Sequence, residues 1–218
     1  MNFLIPNRQH LELAKYFALI FMFIDHVGYL FFPEQVWMFN IGRIAMPLFL
    51  ILFGIGLSTV LSGPPERLDA IIKKTLFFGV IAQPAYYLCF GDKNPWFTLN
   101  AMFVFCFIAL ALKYRNKPIT MMVIVLIGGA IAEFSWFGLL LGLASYYTFT
   151  ERTAKQLALL SSALLLFCAS QSDMYGLLSV LVVIVSQFLA CTLPRYKSVF
   201  YIFYPAHLYA LALLAIFV

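Results

Sequence analysis

The 218-residue chain is a succession of long apolar blocks cut by short polar breaks, and this pattern limits its fold more than anything else in the sequence. The blocks run over about 11–32, 39–61, 75–90, 97–112, 118–132, 135–149, 156–170, 174–193 and 198–218. Gly and Pro mark several of the breaks, as in Ser62-Gly63-Pro64-Pro65-Glu66 and Gly91 to Pro95, where they punctuate helices for backbone reasons. Fourteen Lys or Arg and nine Asp or Glu leave only 11% of the chain charged, while 64% is hydrophobic. A soluble domain is about a quarter charged, and one of this length cannot cover so much apolar surface. The bilayer must be the solvent for most of it. That excludes a cytosolic enzyme, a secreted module, a disordered chain and a nucleic-acid binder. The net charge of +5 reads as a topology signal, not as a phosphate-binding face.

The expected fold is therefore all-α: a polytopic membrane helical bundle of about nine transmembrane helices, forming one integral-membrane domain over residues 1–218. Several blocks hold only about 15 residues, short of the roughly 20 that cross a bilayer. The 118–132 and 135–149 pair reads either as two short spans or as a re-entrant hairpin, so eight to ten spans fit. The first apolar run contains Glu12, Lys15, Asp25 and His26 and no small-residue cleavage site, so it is expected to stay as the first span. With the N-terminus in the cytoplasm, the inner segments hold Arg8, Lys15, Arg67, Lys73, Lys74, Lys113, Arg115, Lys117, Arg152, Lys155, Arg195 and Lys197. The outer side holds Arg43 and Lys93. This asymmetry predicts nine helices, N-in and C-out.

Ionisable groups inside a membrane are costly, and each is a functional candidate. Lys15 and His26 are eleven residues apart in the first block. On a helix they share a face about 16 Å apart. Asp25 flanks that face, and Arg43 opens the second block at a similar expected depth. One reading is a catalytic cluster. His26 acts as general base toward an amine or hydroxyl, Asp25 accepts from the imidazole or pairs with Arg43, and Arg43 steadies an oxyanion or carboxylate. The other reading is a structural Asp25–Arg43 ion pair that locks two helices, with His26 a hydrogen-bonding bystander.

Tyr204 and His207 share a face of the last helix, and Pro205 between them removes a helix hydrogen bond. They form either a polar site or an aromatic packing face. Gln83, next to Pro84, and Asn100 are weaker signals of the same kind. Gly138 to Gly142 is a small-xxx-small pattern, read as close helix packing. Cys89, Cys106, Cys168 and Cys191 are widely spaced in apolar runs and form no CxxC. They read as inert thiols, and no metal site is expected.

Ile24-Asp25-His26-Val27-Gly28 and Gly42-Arg43-Ile44-Ala45-Met46-Pro47-Leu48-Phe49 resemble signatures of the TraX family. So do Ile81-Ala82-Gln83-Pro84, Thr98-Leu99-Asn100, Glu133-Phe134-Ser135-Trp136-Phe137-Gly138 and Phe203-Tyr204-Pro205-Ala206-His207, all in the same order. The resemblance covers about residues 11–210. It implies a multi-pass protein of the bacterial inner membrane, like the acetylase of the N-terminal amine of F-type conjugative pilin that gives the family its name. The Lys15/His26 spacing is also similar to the basic-x10-His pattern of a larger superfamily of integral-membrane acyltransferases that modify surface glycans. That superfamily has Arg where this chain has Lys15.

The resemblance implies an acetyl-CoA-dependent acetyltransferase acting on a pilin peptide amine or a glycan hydroxyl. His26, Asp25 and Arg43 would be catalytic, with Lys15, Tyr204, His207, Gln83 and Asn100 at the substrate. The CoA phosphates would lie near Arg67, Lys73 and Lys74, or near Lys113 or Lys117. No Ser or Cys has a recognisable nucleophile setting, so direct transfer is expected over an acyl-enzyme. A transporter built on Pro-broken helices, or a non-catalytic pilus-assembly factor, would also place polar groups in spans.

Overall fold

The computed structural model describes residues 8–91, 97–189, 193 and 198–217. Expectations placed on Lys93, Cys191, Arg195 and Lys197 lie outside the described residues. The described chain is helical throughout, and its one pairing of extended backbone is an isolated parallel bridge between Leu99 and Ala132. The helices are α1 (Arg8–Phe31), α2 (Val36–Gly42), α3 (Ala45–Val60), α4 (Glu66–Phe90), α5 (Ala101–Lys113), α6 (Pro118–Ile131), α7 (Ser135–Glu151), α8 (Ala154–Ser170), α9 (Leu178–Phe188) and α10 (Val199–Ile216). A 3₁₀ turn, Tyr175–Leu177, leads into α9. With α2 and α3 taken together, these match the nine apolar blocks. Among the described residues, three segments are long and apolar enough to cross a membrane: His10–Phe31, Val36–Val60 and Val199–Ile216.

Two boundaries depart from the hydropathy pattern. The second block is not one helix but breaks at Arg43 and Ile44. Pro47 has no N–H for the Arg43 carbonyl and its ring crowds that oxygen, so the turn cannot continue through it. α4 starts at Glu66, nine residues before its apolar block. Glu66 and Asp69 occupy its first turn, where carboxylates complement the exposed N–H groups.

The chain divides into two compact units, residues 1–58 with 144–197 and residues 59–143 with 198–218. In the first, α1 packs on α2 and α9. Ser145 Oγ donates to the Ile51 carbonyl at 2.8 Å and so ties α7 to α3. In the second, α4 packs on α5 and α10, and α5 on α6. A Cβ on Gly142 would overlap the Ile108 side chain, with Cγ1 at 3.2 Å, so Gly142 of the small-residue pattern packs closely on α5.

Within the second unit α4 and α10 run parallel. Lys74 lies over the Tyr201 ring at 5.8 Å, Phe78 stacks on the same ring, and the Cys89 thiol donates to the Leu208 carbonyl at 3.5 Å. Lys113 at the end of α5 pairs with Asp69 at the start of α4, 2.7 Å apart. Both loops thus lie at one end of the unit. α5 and α6 have 13 and 14 residues, about 20 Å each, short of the roughly 30 Å of a bilayer core. Their far ends stop beside Gly79 and Gln83, seven residues before α4 ends at Phe90, or about 10 Å. Non-helical backbone at Thr98–Asn100 and Ala132–Glu133 is therefore sunk beside the apolar part of α4. Buried non-helical backbone is tolerated only where protein or a polar cavity satisfies it.

Candidate functional site

The first unit gathers polar groups where α1 meets the α2–α3 corner. Asp25 lies against Gly42: a Cβ there would overlap the carboxylate, with Cγ at 2.6 Å. Glycine is required because the carboxylate fills the space a side chain would take. Asp25 Oδ1 is buried and accepts no hydrogen bond. Arg43 follows Gly42 but is half-exposed, at 41%, and its Nε pairs with Asp173 Oδ2 at 4.0 Å. Asp173 Oδ1 accepts from the Tyr175 amide at 2.7 Å. The direct Asp25–Arg43 salt bridge of the structural reading is not among the ion pairs formed, although the Arg43 charge still acts on the Asp25 carboxylate. Consecutive residues leave a helical turn in different directions, so the position that cradles Asp25 is Gly42, and Arg43 reaches the turn before α9. The backbone closes this corner as well, because a Cβ on Gly176 would meet Cys168 Sγ at 2.8 Å and Pro47 Cγ at 3.2 Å. Replacing Gly42 by valine is expected to displace Asp25 and cost about 1–3 kcal/mol, as overpacking does. Thermal melting in detergent reads this loss, and an unchanged melting temperature would contradict the cradle.

His26, half-buried, follows Asp25 on α1. α1 is unbroken, so the Lys15–His26 rise stays at about 16 Å. Lys15, expected at the substrate, donates to Glu12 at 2.8 Å, and Glu12 is buried. That pair accounts for an intramembrane acid without a ligand.

The second unit holds a separate polar centre. Asn100 is fully buried. Its Nδ2 donates to the Gly79 carbonyl (2.9 Å) and to Gln83 Oε1 (2.7 Å), and its Oδ1 caps α5 by accepting from Met102 N (3.0 Å). Gln83 Nε2 donates to the Thr98 carbonyl at 2.8 Å, and its Oε1 also accepts from the Asn100 amide. Leu99 exchanges backbone bonds with Ile131 and Glu133. Gln83 and Asn100 thus form a knot that satisfies the sunken backbone.

Beside it stand Tyr204 and His207 of α10, 4% and 5% exposed. The Tyr204 hydroxyl lies near the Ala101 amide in the first turn of α5, with Glu133, Tyr86 and Cys89 as its ionisable neighbours. His207 Nδ1 lies 2.8 Å from the Phe203 carbonyl. The imidazole stacks on Phe203 at 5.0 Å and meets Tyr204 edge-on at 5.7 Å. Tyr209 donates to the Ile81 carbonyl at 3.0 Å, near Pro84 in α4.

Arg67, Lys73 and Lys74 are exposed near the start of α4. Lys113 is paired with Asp69. Sequence reasoning missed Asp173 and the environment of Glu133. Each is a lone acid in a short break between apolar blocks, and that is the signal that would have found them.

Polar centres within helices that are long and apolar enough to cross a bilayer define an all-helical membrane protein. The chain belongs to the TraX family: the TraX protein model matches residues 10–215. It is 30% identical to a Protein TraX of Escherichia coli over 232 residues, spanning 99% of this chain and 91% of that one. It is also 30% identical to a Protein TraX of Escherichia coli strain K12 over 103 residues, covering 47% of this chain and 39% of the other. No solved structure matches.

Proposed function

We propose that the protein is an inner-membrane acetyltransferase that moves acetyl from acetyl-CoA to an amine or hydroxyl acceptor. By family resemblance the acceptor is the N-terminal amine of a pilin, and a surface glycan is the alternative. The observation that carries the reading is the buried Asp25 oxygen with no hydrogen bond, next to His26 within α1. A buried acceptor left unmade costs about 1–3 kcal/mol, more when charged, and such costs persist where an incoming group meets them. An acceptor N–H or O–H would supply the missing bond. His26 would take its proton, and Arg43, half-exposed at the corner, would hold negative charge. The labelled product decides: membranes containing the protein, given labelled acetyl-CoA and a pilin N-terminal peptide or a glycan, should label one of them. Label in neither would end this reading.

The proposed topology is nine spans, N-in and C-out. Six cations at one end of the second unit support it: Arg67, Lys73, Lys74, Lys113, Arg115 and Lys117. A reporter fused in the 114–117 loop is expected on the cytoplasmic side, and one at Lys93 outside. A periplasmic signal from 114–117 would refute the orientation.

A further inference from the structure

We infer that the pocket at the α8–α9 turn binds a phospholipid headgroup bearing a primary ammonium, with its phosphate on Arg43 and its ammonium on Asp173. The site lies wholly within the first unit, and it does not depend on acyl transfer. The turn forms a shallow pocket of about 440 Å³ lined by Ser172, Asp173, Met174, Tyr175 and Leu178. Asp173 is its charged wall, and Arg43 of the α2–α3 corner pairs with that wall. The corner lies against the same turn, since a Cβ on Gly176 would come within 3.5 Å of the Arg43 carbonyl oxygen.

The two charges stand side by side without bonding each other. The Tyr175 amide holds Asp173 Oδ1 at 2.7 Å, which fixes the carboxylate and turns Oδ2 toward the guanidinium. At 4.0 Å the Nε–Oδ2 contact is too long for a hydrogen bond. A ligand therefore gains bonds here that the pair itself does not make. Arg43 offers a fork of N–H donors, and Asp173 Oδ2 accepts. The complementary ligand carries an anion that accepts and a cation that donates, a few bonds apart. The same fork has donors enough for a phosphate and for the charge assigned to it in transfer.

The rest of the pocket is apolar and exposed: Met174, Tyr175 and Leu178. A tyrosine suits the membrane–water interface, which sets the pocket at headgroup depth. From Leu178 a stripe of exposed apolar side chains continues along α9 through Leu181, Val185 and Phe188, at helical spacing. The rise from Leu178 to Phe188 is about 15 Å, half of the roughly 30 Å hydrocarbon core. One acyl chain of one leaflet fills that depth. The stripe alone would suit any lipid, and the ion pair at its head selects among them. A phosphate diester takes N–H bonds from a guanidinium. A primary ammonium donates to a carboxylate, whereas choline has no N–H to give and glycerol brings no cation. The ligand is therefore a phosphatidylethanolamine, of the outer leaflet in the N-in topology. A peptide N-terminus has the ammonium but no phosphate for Arg43.

The test uses the full-length protein, stripped of lipid in detergent, with phosphatidylethanolamine, phosphatidylcholine and phosphatidylglycerol of identical chains. Native mass spectrometry reads the bound lipid, and thermal melting reads the stabilisation that binding brings. Phosphatidylethanolamine is expected to bind about tenfold more tightly than the other two, the factor that one hydrogen bond to a charged group supplies. Asp173→Asn keeps a carbonyl oxygen for the Tyr175 amide, so the turn should fold. It puts an NH₂ donor where Oδ2 stood, and the three lipids should then bind alike. Arg43→Gln should weaken phosphatidylethanolamine about tenfold or more. Equal affinity of the unaltered protein for the three lipids would overturn the site. So would a preference for phosphatidylethanolamine that survives Asp173→Asn, or an affinity that Arg43→Gln leaves unchanged. Displacement of the lipid by a soluble peptide with a free N-terminal amine would also overturn it, and would give the pocket to a peptide instead.

Discussion

Replacing His26 by alanine is expected to lower acetyl transfer about 10²–10⁴-fold, the usual contribution of a general base, with little change in melting temperature. His26 is half-buried on α1, so its truncation leaves no large cavity in a tight core. Asp25→Asn separates function from structure more sharply. If the Asp25–Arg43 pair held the helices, losing the charge would destabilise the protein. In this fold Asp25 Oδ1 has no hydrogen bond and Arg43 pairs with Asp173. Asp25→Asn should therefore keep or raise the melting temperature while reducing transfer, as is common where a site stores a cost. Arg43→Lys should reduce transfer too, because an ammonium cannot reproduce the planar fork of a guanidinium. Full transfer by His26→Ala would end the assignment of His26 as base. A large fall in melting temperature in Asp25→Asn would restore the structural reading of that residue.

The apolar blocks were legible because each is a local property: a run of side chains that only lipid or protein can cover. What hydropathy did not show follows from interactions it cannot encode. α4 begins in a polar stretch, Glu66 to Lys74, held by Asp69 pairing with Lys113 forty-four residues away. The break at Arg43 lies inside an apolar run and comes from a missing N–H at Pro47, a backbone effect with no hydropathy signature. Asp25, His26 and Arg43 were marked as charges in apolar blocks. Their partners were not readable, because Asp173 is 130 positions from Arg43 and sits in a turn that reads as an ordinary break. Asn100 and Gln83 were marked as buried polar groups. Their partners in the fold are mostly main-chain atoms, Gly79 O, Thr98 O and Met102 N, and side-chain pattern says nothing about those. His207 shows the same limit, since the partner of its Nδ1 is the Phe203 carbonyl.

Asn100→Ala is expected to be among the most destabilising single substitutions in the second unit, by roughly 2–4 kcal/mol. It removes the cap of α5, worth about 1 kcal/mol. It also strips the Asn100 donor from the Gly79 carbonyl, and a buried unsatisfied group costs about 1–3 kcal/mol, while Gln83 Oε1 keeps its bond from the residue-100 amide. The loss falls where Asn100 is fully buried, so its partners cannot turn to bulk solvent. Gln83→Ala should cost less, since it frees the Thr98 carbonyl and the Asn100 donors but leaves the cap on Met102 in place. The double variant separates a knot from two independent bonds. If the residues act as one network, its loss should fall well short of the sum of the single losses, because the second removal finds its partner already gone. Melting in detergent measures all three variants. Simple additivity would show that Gln83 and Asn100 stabilise separate places, and a near-neutral Asn100→Ala would show that this loop is not what holds the short helices α5 and α6 beside α4.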